Sequence, residues 1–345
     1  MCDVRWNAVW SSWFPVYNGV RHGAIFFAIF MDRLMKKLWR SDLGCHVAGE
    51  WLGAFIYADD ILLLCPSRPG LQAMINICEL FANTNNMKFS TNPNPELSKT
   101  KCMVFSKKPK DLINIAPVQL YNTDLPWVPS IKHLGNYLEC DSSFRRDMTR
   151  KRGIFIGKLH SLQQEFHFVS PQVKVKLYNI YTTSFYGSSL YDIYSSDCNK
   201  FFTAYNIAIR MCFNVPRQSH RYVIEKITKC HHPKTFMASR LVKFHSVLLT
   251  SQKSSVNLLA KLKEKDRRTV HGNNLANIAK DIDTPIDDLT TDLVKLNMKY
   301  FPVPVDQTWR LPFLEELLSA RQDSCTIDNF DNNEISQMIN HLCTT

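Results

Sequence analysis

Short apolar runs bounded by turn residues alternate with stretches of helical spacing along the first half of the chain. Residues 55–58 and 61–64 are two such runs, and they predict a pair of buried strands. Asp59 and Asp60 lie between them, where the chain must reverse, because aspartate is disfavoured within strands and common in turns. The pattern therefore predicts a hairpin that carries two adjacent carboxylates at its tip.

Other segments show the spacing of amphipathic helices. Helices are predicted over residues 24–39, 71–83 and 171–195, a basic helix from residue 145, and strands over 86–90 and 99–105. The helix over 71–83 would bury Leu71, Met74, Ile75, Cys78 and Phe81. The buried stripe of the basic helix would consist of Ile154, Phe155, Leu159 and Leu162.

Aromatic residues in two regions are assigned to packing. Near the N-terminus, Trp6, Trp10 and Trp13 precede a strand that ends in an Asn-Gly turn, and we expect them in a hairpin and its core. The aromatic residues of the helix over 171–195 are assigned to packing before base stacking: Tyr178, Tyr181, Phe185 and Tyr186.

The formal net charge of +11 at pH 7 is unevenly distributed over the 345 residues. Residues 281–345 hold 12 acidic and 4 basic side chains, a net of −8, which leaves +19 on residues 1–280. A basic body suits a polyanion such as nucleic acid, because neutralising phosphates supplies most non-specific affinity. A charged surface that is merely solvated is the alternative, and charge alone does not decide between them.

Length, hydropathy and cysteine usage narrow the class of protein. The chain is long enough for two or three domains. It has no apolar run near the roughly 20 residues of a membrane span and no signal pattern, so we expect no membrane partner and an intracellular location, in the nucleus or the cytoplasm. The 11 cysteines include no C-x-x-C pair, so neither a disulfide framework nor a zinc ribbon is predicted. One cluster without zinc-ligand spacing is interpreted as fortuitous: Cys230, His231, His232 and His245.

Asp59 and Asp60 are the clearest candidates for chemistry. Like charges side by side cost free energy unless cations neutralise them, so the pair favours hard divalent metals with oxygen ligands. Two such ions about 3.5–4 Å apart can stabilise both the attacking and the leaving oxygen of a phosphoryl displacement. The alternative is a pair of solvated turn residues, and the doublet by itself favours that alternative.

The residues around the doublet favour the metal-binding interpretation over a pair of solvated turn residues. Residues 57–60, Tyr-Ala-Asp-Asp between two apolar strands, resemble the central motif of reverse transcriptases, and residues 61–64 continue it as in retrotransposons without long terminal repeats. Three further segments follow the order of that family: Arg-His-Gly at 21–23, Lys-Thr at 99–100 and His-Leu-Gly at 133–135. The resemblance covers roughly residues 4–250, and His22 stands where the family usually has glutamine.

The resemblance implies an α+β fold. A polymerase palm, an antiparallel sheet backed by helices, would occupy residues 1–140 and include strands similar to those that grip the primer. A mostly helical thumb and connector would follow over residues 141–250. Residues 251–345 would form a peripheral, partly flexible appendage.

The family's site residues carry over onto the matching positions. Asp59 and Asp60 would be catalytic and would hold Mg²⁺, or Mn²⁺ in its place, while Tyr57 would pack near the primer end. Three more residues would border the template and the incoming deoxynucleoside triphosphate: Arg21, Gly23 and Lys99. A lone lysine that enters a strand is otherwise usually solvated, so the role of Lys99 rests on the motif.

The RNA template and DNA primer would contact a hairpin and the basic helix. The hairpin positions are His133, Leu134 and Gly135. The helix positions are Arg146, Arg150, Lys151 and Arg152. Contacts of this kind position a duplex through its backbone without reading sequence. A simple hairpin with a strained glycine and a helix with solvated charges are the alternatives.

The implied reaction is RNA-templated DNA synthesis by two-metal nucleotidyl transfer. The family supplies another metal-binding aspartate before the segment that matches residues 21–23, and the chain starts too late to contain it. We therefore expect a truncated reverse transcriptase that is weakly active or inactive. A non-catalytic nucleic-acid-binding relic is the alternative, and an unrelated structural protein with a chance doublet fits the ordered motifs less well. The sequence leaves the oligomeric state open.

Overall fold

The computed structural model describes residues 3–15, 25–92, 94, 96–106, 115–182, 185–212 and 232–298. The chain divides into two compact units, Met1–Pro129 and Ser130–Thr345, and both contain helices and small antiparallel strand pairs. This mixture is compatible with the predicted α+β class, and the palm and thumb architecture stays a prediction. The division at Pro129 precedes the boundary predicted at residue 140, so the strand pair over Ser130–Glu139 belongs to the second unit.

The first unit combines two helices with short hairpins in its described part. Its elements are β1 (Arg5–Trp6), β2 (Val9–Trp10), α1 (Ile25–Arg40), β3 (His46–Val47), β4 (Glu50–Trp51), β5 (Ala54–Tyr57), β6 (Asp60–Leu63), α2 (Arg68–Thr84), β7 (Val118–Leu120) and β8 (Thr123–Leu125). Each odd-numbered strand pairs antiparallel with the strand that follows it. The described strands of this unit therefore form separate two-stranded hairpins rather than one continuous sheet.

Helices α1 and α2 pack against the β5–β6 hairpin, because each presents one apolar face. The buried cluster consists of Met31, Leu34, Leu38, Ala54, Met74, Cys78 and Phe81. The predicted buried face of α2 is confirmed except at Leu71, which is half-buried. Helix α2 begins earlier than predicted because the Ser67 hydroxyl caps it, accepting a hydrogen bond of 3.3 Å from the backbone N–H of Gly70.

Two predictions for the first unit are wrong. Trp6, Trp10 and Trp13 flank or belong to a hairpin, but 58–78% of each residue is exposed, because β1 and β2 have only two residues each and form no core. The strands predicted over 86–90 and 99–105 are absent from the described residues there. A strand needs a partner along its length, and only Cys102 has one, through an isolated bridge to Trp127.

The second unit begins with one hairpin and continues as helices in its described part. Its elements are β9 (Ser130–His133), β10 (Asn136–Glu139), α3 (Arg145–Glu165), α4 (Pro171–Thr182), α5 (Ser196–Cys212), α6 (Pro233–Leu249), α7 (Ser254–Glu264), α8 (Val270–Asp281) and α9 (Thr291–Asn297). The helix predicted over 171–195 ends at Thr182. Further along, Gly187, with φ of +75°, adopts a left-handed conformation before a short 3₁₀ turn.

The core of this unit is built around α3. Its buried residues on α3 are Met148, Phe155, Leu159 and Leu162. They join α5 residues such as Phe201, and Tyr178 and Phe185 are buried with them, whereas Tyr181 and Tyr186 are more than half exposed. Ile154, predicted in the buried stripe, is 45% exposed.

The segment after residue 251 contributes to the same core. It was predicted to be a peripheral appendage, but Leu275 of α8 and Val294 of α9 are completely buried in the α3 cluster. The apolar spacing within these short helices is sufficient to bury one face of each. Residues 299–345 of the predicted appendage and residues 213–231 of the predicted connector lie outside the described residues.

Candidate functional site

The Asp59–Asp60 doublet lies at the tip of the β5–β6 hairpin, as the apolar pattern predicted. The strands pair with Tyr57 opposite Asp60, so Ala58 and Asp59 form a two-residue turn. Ala58 has φ of +52°, the left-handed conformation that tight hairpin turns require. Asp59 is therefore in the turn itself, and Asp60 is the first residue of β6.

Alternation along the two strands gives the hairpin two different faces. Ile56 and Ile61 pack against the cluster formed with α1 and α2. On the other face, Tyr57 is 69% exposed and lies directly across from Asp60. Asp59 and Asp60 are both exposed, and neither carboxylate has a hydrogen bond or ion pair to a residue that the structure describes. Both are available as oxygen ligands on a backbone that is fixed by packing from behind.

Carboxylate oxygens are the donors that magnesium and manganese prefer, so Asp59 and Asp60 fit the chemistry of such ions. They supply two carboxylates. Within the described ranges, no group of three or more His, Cys, Asp or Glu side chains is arranged to hold a metal ion.

The other residues predicted to border the nucleotide are placed only in part. Lys99 is exposed in an irregular segment rather than in a strand. That segment is anchored next to it by Thr100, whose hydroxyl donates a hydrogen bond of 2.8 Å to the carbonyl of Ser90. Arg21 and Gly23 lie outside the described residues.

The second predicted site is a hairpin with a strained turn. Strand β9 ends at His133, and Leu134 and Gly135 form the turn with φ of +44° and +82°. Two side chains hold this turn. The Tyr186 hydroxyl donates to the Leu134 carbonyl at 3.0 Å, and Nη2 of Arg150 donates to the Gly135 carbonyl at 2.8 Å. The segment is therefore a β-hairpin whose tip is fixed to α3, and its contact with nucleic acid stays a prediction.

Asp147 organises the cations that the sequence assigned to nucleic acid. Its side chain is completely buried, and its carboxylate lies 2.9 Å from Nη2 of Arg150 and 3.1 Å from Nζ of Lys151. The Tyr191 hydroxyl donates a third hydrogen bond to it. Lys151 also donates to Oδ1 of Asn136 at 2.8 Å, which ties the network to β10.

The protonation states follow from this packing. Burial by itself would raise the pKa of Asp147, but hydrogen bonds from Tyr191, Arg150 and Lys151 outweigh burial, so the pKa lies below its usual value. Burial lowers the pKa of Lys151, and the neighbouring Asp147 opposes that effect. Burial and the hydrogen bond to Asp147 both raise the pKa of Tyr191. At neutral pH Asp147 is therefore ionised and Tyr191 is a neutral donor.

The remaining basic residues at the start of α3 are more available. The Arg146 guanidinium lies 4.6 Å from the centroid of the Tyr137 ring and is exposed. Arg152 is half-buried and has no ion pair with a described residue. Of the four helix positions predicted to contact nucleic acid, Arg150 and Lys151 hold the hairpin on α3, Arg146 is exposed, and Arg152 has no ion pair with a described residue.

The sequence pattern assigned Tyr186 to packing only, and it gave no role to Tyr191 or to Asp147 at this site. A signal for Asp147 was present, since a single acid stands three and four residues before Arg150 and Lys151 in an otherwise basic stretch. The tyrosines gave no comparable signal, because Tyr191 lies 44 residues from Asp147 along the chain.

Comparison with known proteins links the chain to retrotransposon polyproteins. One relative is the retrovirus-related Pol polyprotein from type-2 retrotransposable element R2DM of Drosophila melanogaster, which is 29% identical to this chain over 130 residues. The matched segment makes up 36% of this chain and 11% of that polyprotein. No protein-family model matches the chain.

The helices also bear on membrane insertion. In the described part of the chain, none of them is both long enough and apolar enough to cross a bilayer.

Proposed function

We propose that the chain is a reverse-transcriptase segment of a retrotransposon polyprotein and acts in RNA-templated DNA synthesis. The observation that carries this proposal is the exposed pair Asp59 and Asp60 at the tip of a hairpin packed from behind on two helices. The similarity to a retrotransposon Pol polyprotein supports the same proposal.

In the proposed reaction, the primer 3′-hydroxyl oxygen forms a bond to the α-phosphorus of a deoxynucleoside triphosphate, and pyrophosphate leaves. Asp59 and Asp60 would hold magnesium, which when bound lowers the pKa of the hydroxyl and neutralises developing charge. Tyr57, exposed beside Asp60, would pack against the primer end, and Lys99 would contact the triphosphate.

The second candidate function is non-catalytic binding of an RNA–DNA duplex. It is favoured by the rigid attachment of the 130–139 hairpin to α3 through Arg150 and Lys151. The fact that the described residues bring only two carboxylates to the β5–β6 tip also favours it. Exposed Arg146 would then contact the phosphate backbone without reading bases.

Primer extension on an RNA template with magnesium tests the proposal. We expect incorporation by the chain and its loss in Asp59→Asn, which keeps the shape of the side chain and removes the charge. A bound metal supplies several kcal/mol of transition-state stabilisation, so the expected decrease is about a hundredfold or more. Asp283→Asn is the matched control, because Asp283 is also an exposed aspartate in a turn.

Duplex binding is measured in parallel on the same proteins. Equal incorporation by the chain and by Asp59→Asn would refute the catalytic role of the doublet. Duplex binding without incorporation by either protein would instead support the second candidate function.

A further inference from the structure

The second unit contains a cavity of about 220 Å³ beneath the turn at Gly135 and beside α3. Five of its thirteen lining residues are aromatic, among them Phe155, Tyr186 and Phe201. Three cations also line it: Arg150, Lys151 and Lys158. None of the lining residues is acidic. The cavity therefore offers apolar ring surface together with positive charge.

The charge at this cavity is only partly neutralised from within the protein. Asp147 compensates one of the three cations through its contacts with Arg150 and Lys151. Lys158 is exposed and has no ion pair with a described residue. In addition, the buried Nε–H of Arg150 has no acceptor among the described residues. A buried donor without an acceptor costs free energy, which a ligand acceptor would recover.

The size of the cavity restricts the ligand. Apolar cavities of about 150 Å³ admit a benzene ring, whereas sites for drug-sized molecules start at about 300 Å³. A volume of about 220 Å³ thus suits one planar ring system rather than two. Aromatic walls bind the faces of bases, and cations bind phosphate.

We propose that this cavity binds a single unpaired nucleotide, with its base against the aromatic wall and its phosphate on Arg150 and Lys158. The choice of a nucleotide among anionic ring compounds rests on the proposed function. The ligand is either a free mononucleotide or the unpaired end of a strand, since both present the same chemistry.

Calorimetric titration with adenosine 5′-monophosphate tests the proposal on the full chain. We expect saturable binding, and binding of adenosine or of ribose 5-phosphate weaker by about tenfold or more, because each lacks one of the two contacts. Ile154→Trp would fill the cavity from its rim and weaken nucleotide binding by about tenfold or more. Ile154 is already 45% exposed, so the substitution leaves the core unchanged.

Matched controls separate the cavity from general surface charge. Ile180→Trp introduces the same side chain at a residue of α4 that is 71% exposed and does not line the cavity. The affinity of this variant for adenosine 5′-monophosphate is expected to equal that of the wild type. Lys158→Gln should weaken binding, whereas Lys176→Gln, on the exposed surface of α4, should not. The absence of saturable binding, or equal effects of the two tryptophan variants, would overturn the proposal.

A blunt RNA–DNA duplex and the same duplex with one unpaired 3′ nucleotide distinguish the two sources of ligand. Preference for the overhang, with competition by the mononucleotide, supports binding of a strand end. Mononucleotide binding without that preference supports a free nucleotide. Duplex binding with no mononucleotide binding would overturn the cavity proposal and leave the proposed function standing. Mononucleotide binding with no duplex binding would overturn the proposed function and leave the cavity proposal standing.

Discussion

Replacing Asp147 by asparagine should destabilise the second unit strongly. The wild-type carboxylate is completely buried and accepts hydrogen bonds from Tyr191, Arg150 and Lys151. Asparagine preserves the volume but removes the negative charge, which leaves two cations close together without a counterion. The same cations hold the Gly135 carbonyl and Asn136, so the hairpin would lose part of its attachment to α3.

The magnitude follows from the burial of the three charged groups. Removing one partner of a buried ion pair costs about 3–5 kcal/mol in the free energy of unfolding. The Arg150 and Lys151 side chains are 31% and 17% exposed, so they recover some hydration, and we expect about 3 kcal/mol. For a unit of this size that corresponds to a fall in Tm of about 6–12 °C.

Urea and thermal unfolding of the full chain measure this change. Asp197→Asn is the matched control, because Asp197 also contacts two cations, Arg145 at 3.6 Å and Lys200 at 3.1 Å, but is 25% exposed. Such a solvated pair contributes at most about 1 kcal/mol. Similar destabilisation by the two variants would refute the argument that burial of Asp147 sets the magnitude.

The pH dependence provides a second check on Asp147. Its pKa is lower in the folded protein than in the unfolded chain, so its contribution is complete above the unfolded value of about 3.9 and is lost as pH falls through the folded value. The difference between wild type and Asp147→Asn should therefore be constant from pH 7 to about pH 5 and narrow below pH 4. A difference that does not narrow in acid would show that the charge is not its source.

Two other substitutions test strained or buried groups in the second unit. Leu134→Asn should raise the free energy of unfolding, measured in urea, by about 0.5–1 kcal/mol, because asparagine tolerates the φ of +44° better than leucine and forms an Asn-Gly turn with Gly135; an unchanged or lower urea midpoint would contradict strain at this turn. Burial and the neighbouring His245 lower the pKa of His271 to about 4, so the unfolded chain binds a proton at a higher pH than the folded protein does. The free energy of unfolding should therefore fall by roughly 3 kcal/mol as the pH is lowered from 6.5 to 4. His271→Gln, which can still donate to Nδ1 of His245, should lose less stability over that range in urea unfolding, and an equal loss would assign the acid sensitivity elsewhere.

Local patterns predicted the elements that local interactions determine. The buried face of α2 follows from spacing within one helix, and the position of Asp59 and Asp60 follows from turn chemistry between two apolar runs. Exposure of Trp6 and the missing strand after Lys99 could not be predicted in this way. Both depend on whether another segment is available to pack or pair, and the composition of the segment itself contains no information on that question.

A count of the basic residues in α3 overstates the positive charge that is available to a nucleic acid. Arg150 and Lys151 belong to the positive excess of residues 1–280, yet both are directed toward Asp147 and the hairpin. Binding a phosphate with Lys151 or with Nη2 of Arg150 would require breaking hydrogen bonds that stabilise the second unit, whereas the buried Nε–H of Arg150 has no acceptor among the described residues. Exposed Arg146 would give up its hydrogen bond to the Ser130 hydroxyl and its contact with the Tyr137 ring. Counterion release scales with the phosphates that are actually neutralised. The affinity of this surface for a duplex therefore depends on which cations have no internal counterion. Asp147 determines which cations these are, and the number of basic residues does not.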